Sequence, residues 1–395
     1  MIFIPLGTRG NKGKRMRRSK IRMSMTVMAA AAAAVALAFP ASASASVSTA
    51  CPDVAHHENA AHDGRNCSTV PVNPAQLWSV TLNGAASYPV IAGGRIFVTT
   101  SAPGGSYGGS LYALDAQTGK TLWGPVALSG TYFYFPLAYG GGRVFVNDFD
   151  GTLRAFNAAT GAQEWSTTTS YFSGEPVVSQ GEVWVQGSGS VYGLSAKTGA
   201  IEVQTGYLDG DGAAPAVDKS GVYVSTGCQT QVKLSLSGET LWEDSNSCSG
   251  GGGASTALWH GLMYGGEGDK ILDQSTGAVE GSFSGVPAFS GKTGFFASGS
   301  TVSALNVAQG NAMVWSATLP AAVAAGPVVT SSAVWVGTSA STLVALSPAS
   351  GAVLSTITLP GVPGGGGQYS GDPSDIGIGN NVLVVPTGST VTAFG

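Results

Sequence analysis

Charge is scarce in this chain. Only 10% of its 395 residues are Asp, Glu, Lys or Arg, and arginine stops altogether after Arg154. Beyond that point the cations are Lys197, Lys219, Lys233, Lys270 and Lys292. Nucleic acid and anionic membrane surfaces both demand a clustered basic face, so the composition argues against either as a partner. Cysteine is scarce too. Cys51, Cys67, Cys228 and Cys248 are the four present, with no two adjacent and none in CxxC or CxxCH. That leaves thioredoxin-like redox chemistry and covalent haem without support. HExxH and the phosphate-binding loop are missing. YLDGDG, from Tyr207, places Asp209 and Asp211 as the start of a calcium loop, but no Glu follows at the required distance. No apolar run reaches the ~20 residues of a bilayer-spanning helix.

What is present begins with an export pattern. Eight basic residues between Arg9 and Arg22 precede an apolar run, Met25 to Phe39, and then the small-x-small site Ala43-Ser44-Ala45. Basic, apolar and small in that order predicts a secretory leader over 1–45 and a secreted or cell-envelope location. Losing the leader would leave ten Lys and Arg against 22 Asp and Glu, a net charge of −12. An even cysteine count in an exported chain predicts two disulfides. Nearest-neighbour pairing, Cys51–Cys67 and Cys228–Cys248, is the preferred of three connectivities. A disulfide-pinned arm is expected over 46–74.

The rest of the chain is a repeat. LYALDAQTGKTLW, from Leu111, returns as LRAFNAATGAQEW, VYGLSAKTGAIEV, VKLSLSGETLW, ILDQSTGAVEGSF, VSALNVAQGNAMVW and LVALSPASGAVLSTI. The turn glycines Gly119, Gly161, Gly199, Gly238, Gly277, Gly310 and Gly351 are spaced 42, 38, 39, 39, 33 and 41 residues apart. A period near 40 suits four short strands with their turns. Asp115, Asn157, Ser195, Asn306 and Ser347 open the turn, where a short polar side chain accepts the turn's own amides. The closing glycine supplies a positive φ at no steric cost. Trp78, Trp123, Trp165, Trp242 and Trp315 recur after the turn and are read as wedges between adjacent sheets. The C-terminus stops three strands into a repeat, and Ala75 to Leu82 carries the missing fourth. The expectation is an all-β, eight-bladed β-propeller over 75–395, built of four-stranded antiparallel blades, with the N-terminal strand completing the last blade.

This repeat resembles that of PQQ-like (quinoprotein alcohol dehydrogenase-like) β-propellers, over about Ala75 to Gly395. The resemblance implies either an eight-bladed dehydrogenase using pyrroloquinoline quinone with calcium, or an envelope-assembly or sensor module that binds no quinone. The dehydrogenases carry a vicinal disulfide, a tryptophan under the quinone, calcium ligands and a catalytic aspartate. Adjacent cysteines are absent here, and no quinone contact carries over to a position in this chain. The reading preferred is a non-catalytic binding or scaffold module with no catalytic residue and no cofactor, monomeric, and facing an unidentified protein, peptide or carbohydrate.

Two candidate sites follow. His56, His57 and His62 lie between Cys51 and Cys67 with metal-compatible spacing, although a solvated arm is the preferred reading. In an antiparallel blade the second-to-third turns and the blade-to-blade crossings share one face. That face collects the long segments and the aromatics Tyr107, Tyr132, Phe133, Tyr171, Phe172, Tyr207 and Tyr369, a candidate stacking surface for a ligand.

Overall fold

A computed structural model describes residues 51–102, 106–130, 135–171, 174–206, 208, 213–245, 253–364 and 376–395. They form eight four-stranded antiparallel sheets. We number the blades from the one built of Val90–Ala92, Arg95–Ser101, Gly109–Asp115 and Thr121–Leu128. The first strands of blades 2 to 8 are Leu137–Gly140, Val177–Ser179, Ala216–Asp218, Thr256–Trp259, Val286–Ser290, Val323–Val329 and Gly377–Gly379. Blade 8 takes its fourth strand from the other end of the chain. Gln76–Thr81 pairs antiparallel with Thr390–Phe394 and closes the ring. Closure leaves no blade edge open between first and last.

Burial grades outward within each blade. In blade 3 the second strand, Glu182–Gly187, is almost wholly buried. In blade 2 the fourth, Gln163–Thr168, alternates between exposed and half-buried. First strands contact the first strands of neighbouring blades, so they line the axis. Among the described residues no helix is long and apolar enough to cross a membrane.

The third-to-fourth turn is built from its own side chain. Asp115 Oδ1 accepts the Gln117 and Thr118 amides at 3.2 and 2.9 Å and the Thr118 hydroxyl at 2.7 Å. The Gly119 amide returns to the Asp115 carbonyl at 2.8 Å. Asp273 repeats the pattern, accepting the Ser275 and Thr276 amides at 2.9 Å each. Gly119 closes its turn with φ +69°.

That turn also receives the neighbouring blade. Trp123 Nε1 of blade 1 donates to the Ala158 carbonyl of blade 2 at 3.0 Å. A Cβ placed on Gly161 would sit 2.7 Å from the Trp123 ring. Trp78, Trp165, Trp242 and Trp315 dock the same way on Ala116, Ala196, Gln274 and Pro348. Each tryptophan thus joins the outermost strand of one blade to the turn of the next. Three blades lack it. Val203 packs on Gly238, and Gly281 leaves Gly310 with nothing within 4 Å. Ser355 bonds instead to the Val72 carbonyl of the N-terminal segment.

These differences set a test. Gly161→Ala and Gly310→Ala both force alanine to a positive φ, at +73° and +61°. Only Gly161 also displaces a tryptophan. Gly161→Ala is expected to be more destabilising than Gly310→Ala by about 1–2 kcal/mol, the scale of overpacking. Equal losses in urea unfolding would show that the tryptophan seat does not constrain the glycine.

Candidate functional site

The first strand of every blade has one edge with no neighbour in its own sheet. Its amides point at the axis, where an unpaired buried N–H is costly. The segment from Cys51 to Cys67 supplies the partners. The Cys51 carbonyl accepts Asn380 N–H of blade 8 at 2.7 Å, and Asp53 accepts Ile91 of blade 1 at 2.8 Å. Val54 then accepts Tyr139 of blade 2, Ala60 accepts Val217 of blade 4, and Ala61 accepts Leu258 of blade 5. Asp63 accepts Phe289 of blade 6 and Gly64 accepts Val329 of blade 7. Ala60 also packs on the apolar cluster that holds Val177 of blade 3. Residues 51–64 therefore meet the blades in ring order. The Cys51–Cys67 disulfide, with Cα atoms 5.4 Å apart, ties the circuit shut.

This corrects the expectation of a solvated arm. His56, His57, Glu58 and His62 are each 6% exposed or less. The physical reason is that the arm binds through backbone carbonyls, which its polar side chains do not advertise. Positive φ at His57, Glu58 and His62 winds the segment tightly. Gly64 has no room for a side chain, since a Cβ there would lie 2.7 Å from both Ala288 and His57 Nε2.

Each polar group in the arm has a definite environment. Glu58 Oε1 accepts the Ile378 amide at 2.9 Å and Oε2 accepts Asn66 Nδ2 at 2.6 Å. Burial pushes the Glu58 carboxyl up to about 8, against the pull of those two donors. Burial also raises Asp53, with Glu58 adding to it. His57 faces two carbonyls, its Nδ1 2.9 Å from His62 O and its Nε2 3.0 Å from Pro327 O. His62 Nδ1 donates to the Thr256 carbonyl at 3.0 Å. Burial, with His56 and His57 nearby, holds His62 well below the usual histidine range, so it is neutral. Among the described residues its Nε2 has no hydrogen-bond partner.

The three histidines come together, with ring centroids of His56 and His62 5.8 Å apart. Among the described residues no group of three or more His, Cys, Asp or Glu is placed to hold a metal ion. Asp209 and Asp211 lie outside the described residues, as do Tyr132, Phe133, Phe172, Tyr207, Tyr369 and Cys248. The pairing expected for Cys228 lies there too. Tyr107 and Tyr171 are described, and both stand exposed, at 67% and 64%.

Above the arm, between blades 5 and 6, lies a cavity of about 370 Å³. His57, His62 and Thr256 line its floor, while Phe283, Val286 and Pro287 are among its apolar walls. Ser298 and Asp269, both exposed, reach it from second-to-third turns. It therefore opens on the face that carries the crossings, the face of Tyr107 and Tyr171. Sequence reasoning missed this cavity, because His62 and Thr256 stand 194 residues apart. The family's quinone carries three carboxylates, yet among the described residues no lysine or arginine lines the cavity and one carboxylate does. The residues present do not fit that cofactor.

The family model described as "Outer membrane protein assembly factor BamB" matches residues 69–171, 167–356 and 276–393. The dehydrogenase subunit of the quinone alcohol dehydrogenase of Gluconobacter oxydans is 31% identical over 150 residues. That match covers 33% of this chain and 19% of the relative, so the chain spans about a fifth of the curated relative's length. Among solved structures, BamB from Moraxella catarrhalis superposes with a TM-score of 0.59 at 17% identity, covering 82% of this chain and 97% of that one. The quinohemoprotein alcohol dehydrogenase of Comamonas testosteroni gives 0.65 at 14% identity, covering 89% and 81%. These two likenesses show a shared fold.

Proposed function

The chain belongs to the PQQ-type β-propeller family, and from that premise we propose that it is an exported binding or scaffold module and not a quinone-dependent dehydrogenase. The observation that carries this reading is the arm. Its own backbone occupies the axis-facing edges of seven blades, and the cavity left above it offers no cation for a tricarboxylate. The working face is the one with the long crossings, where Tyr107 and Tyr171 stand exposed. Exposed aromatics on a rigid frame suit a sugar, a peptide or a protein surface. The fold suits the role, since a closed ring holds its loops in fixed relation.

A second reading, a partner protein in cell-envelope assembly, is favoured by the description of the family model. On either reading the chain acts outside the cytoplasm as a monomer.

The test is a thermal-unfolding scan with pyrroloquinoline quinone and calcium, singly and together. A ligand that binds only the native state raises the midpoint by mass action, about 2.7 kcal/mol at a hundredfold excess over Kd. No shift with the quinone is expected. A rise that needs both additives would overturn the proposal and restore the dehydrogenase reading.

A further inference from the structure

The fourth strand of each blade is the outer edge of its sheet, and each holds one residue that the strand register skips. In blades 6 and 7 the skipped residues are Val314 and Leu354. Leu77 and Leu122 hold the same place in blades 8 and 1. In blades 2 to 5 the place falls to Glu164, Glu202, Leu241 and Glu280. All eight side chains are exposed, as a bulge that re-aims a side chain allows.

The whole strands divide the same way. AMVWSAT, VLSTIT, QLWSVT and TLWGPVAL, in blades 6, 7, 8 and 1, contain no charge. QEWSTT, IEVQ, TLWED and VEGS, in blades 2 to 5, each contain a carboxylate. These are two contiguous halves of a closed ring. The uncharged half exposes Met313, Val314, Val353, Leu354, Leu77 and Leu122, at 41–61%. The acidic half exposes Ile201, Leu241 and Val279 as well, but each lies within two residues of a glutamate. Charge beside an apolar edge residue discourages pairing with another chain. The uncharged half has no such guard, and residues 293–364 contain no Asp, Glu, Lys or Arg at all. Scattered exposed apolar residues are ordinary, whereas an arc of them marks an interaction surface.

Charge selects the occupant. Glu164 is paired with Arg143 at 2.6 Å. Among the described residues Glu202, Glu243 and Glu280 form no ion pair. Glu280 belongs to blade 5, next to Val314 of blade 6. A partner with an apolar ridge and cations to one side would therefore meet both halves of the rim. A second copy is a poorer match. Without the predicted leader each chain carries a net charge of −12, and like net charge opposes association.

We propose that the uncharged half of the outer rim, centred on Val314, Leu354 and Leu77, docks a partner protein through an apolar ridge flanked by lysine or arginine that reaches Glu280. This surface lies on the outer strands, away from the crossing face, and goes beyond the function proposed for that face.

The experiment is fluorescence anisotropy on the disulfide-intact protein. The probes are an amphipathic helix-forming peptide of leucine and lysine, and its leucine and glutamate counterpart. The lysine peptide is expected to bind and the glutamate peptide is not. Val314→Thr, Leu354→Thr and Leu77→Thr together should weaken binding about tenfold, through lost apolar burial. Leu241→Thr, at the same repeat position in the acidic half, should leave it unchanged. Glu280→Gln should weaken it about threefold and reduce its salt dependence. The three threonine positions are exposed, and the urea midpoint of the triple variant checks its fold. Should that variant unfold, Glu280→Gln against Leu241→Thr still tests the surface. Equal weakening by Leu241→Thr, or none from the triple variant, would overturn the assignment to the uncharged half. Equal binding of the two peptides would overturn the role of the carboxylates, and silence from both would overturn the docking surface. Sedimentation of the free protein decides the occupant. A mass that doubles with concentration, and stays single in the triple variant, would give the surface to a second copy and overturn the partner. None of these results bears on the quinone and calcium scan, so the two proposals fail separately.

Discussion

Replacing Cys51 and Cys67 together by serine is expected to lower the stability of this propeller by about 3 kcal/mol. The figure follows from the sequence separation of 16 residues, because closing a loop of that size removes about 3 kcal/mol of unfolded-chain entropy. The consequence reaches beyond one loop. Without the tie, the segment that meets blade 8 through Cys51 and blade 7 through Gly64 can unwind from either end. Deleting 51–67 should be far worse. It would strip axis-facing amides on seven blades of their acceptors, each at about 1–3 kcal/mol for an unpaired buried group. Such a chain should show no single cooperative transition. The measurement is urea unfolding of the parent, the double serine variant and the deletion. Coincident midpoints for parent and double variant would mean that the arm holds its course without the bridge.

The parts of this architecture that were legible in the sequence are those that repeat. Asp115 to Gly119 closes its turn with its own side chain and a positive φ, so a five-residue string carries the geometry wherever it occurs. Seven such strings and an orphan strand at Gln76–Thr81 are enough to count eight blades. The tryptophans at five of the eight blade junctions were readable for the same reason.

The arm was illegible because its contribution comes from carbonyl oxygens, which every residue has. Ala60 and Ala61 bind Val217 and Leu258 without any side-chain signature. Three histidines suggested a solvated or metal-binding loop, and burial holds them against the blades instead. The cavity was hidden for a related reason. Its floor is made where an arm residue meets a strand of blade 5, and no local pattern encodes that meeting. The small neighbours Ala254, Ala257 and Ala297, which leave the space, look like ordinary strand and loop alanines.

The contribution of Glu58 to stability should fall as pH rises from about 4.5 to 8, the reverse of the usual behaviour of a native carboxylate, while His62, held neutral by burial, pulls the other way below about 6.5. Burial raises its carboxyl from 4.5 to about 8, and two hydrogen-bond donors bring back only part of that. Between those two pH values the folded chain holds a proton that the unfolded chain has released. This contribution then declines with pH, because at this site the native state binds more protons than the unfolded one. The contribution is fully present below pH 4.5 and is lost as pH passes through 8. At 1.36 kcal/mol per pKa unit, the whole span corresponds to about 5 kcal/mol. Asp53 adds to the slope, since it is raised by burial and by the Glu58 charge. Glu58→Gln separates the two. It keeps an oxygen for the Ile378 amide, removes the titration and relieves Asp53 of its charged neighbour. Urea midpoints at pH 5, 6.5 and 8 should decline more for the parent than for Glu58→Gln, the difference growing with pH, because His62 contributes equally to both. Parallel declines would show that Glu58 ionises inside the folded ring without cost, and that the axis around it is wetter than its burial implies.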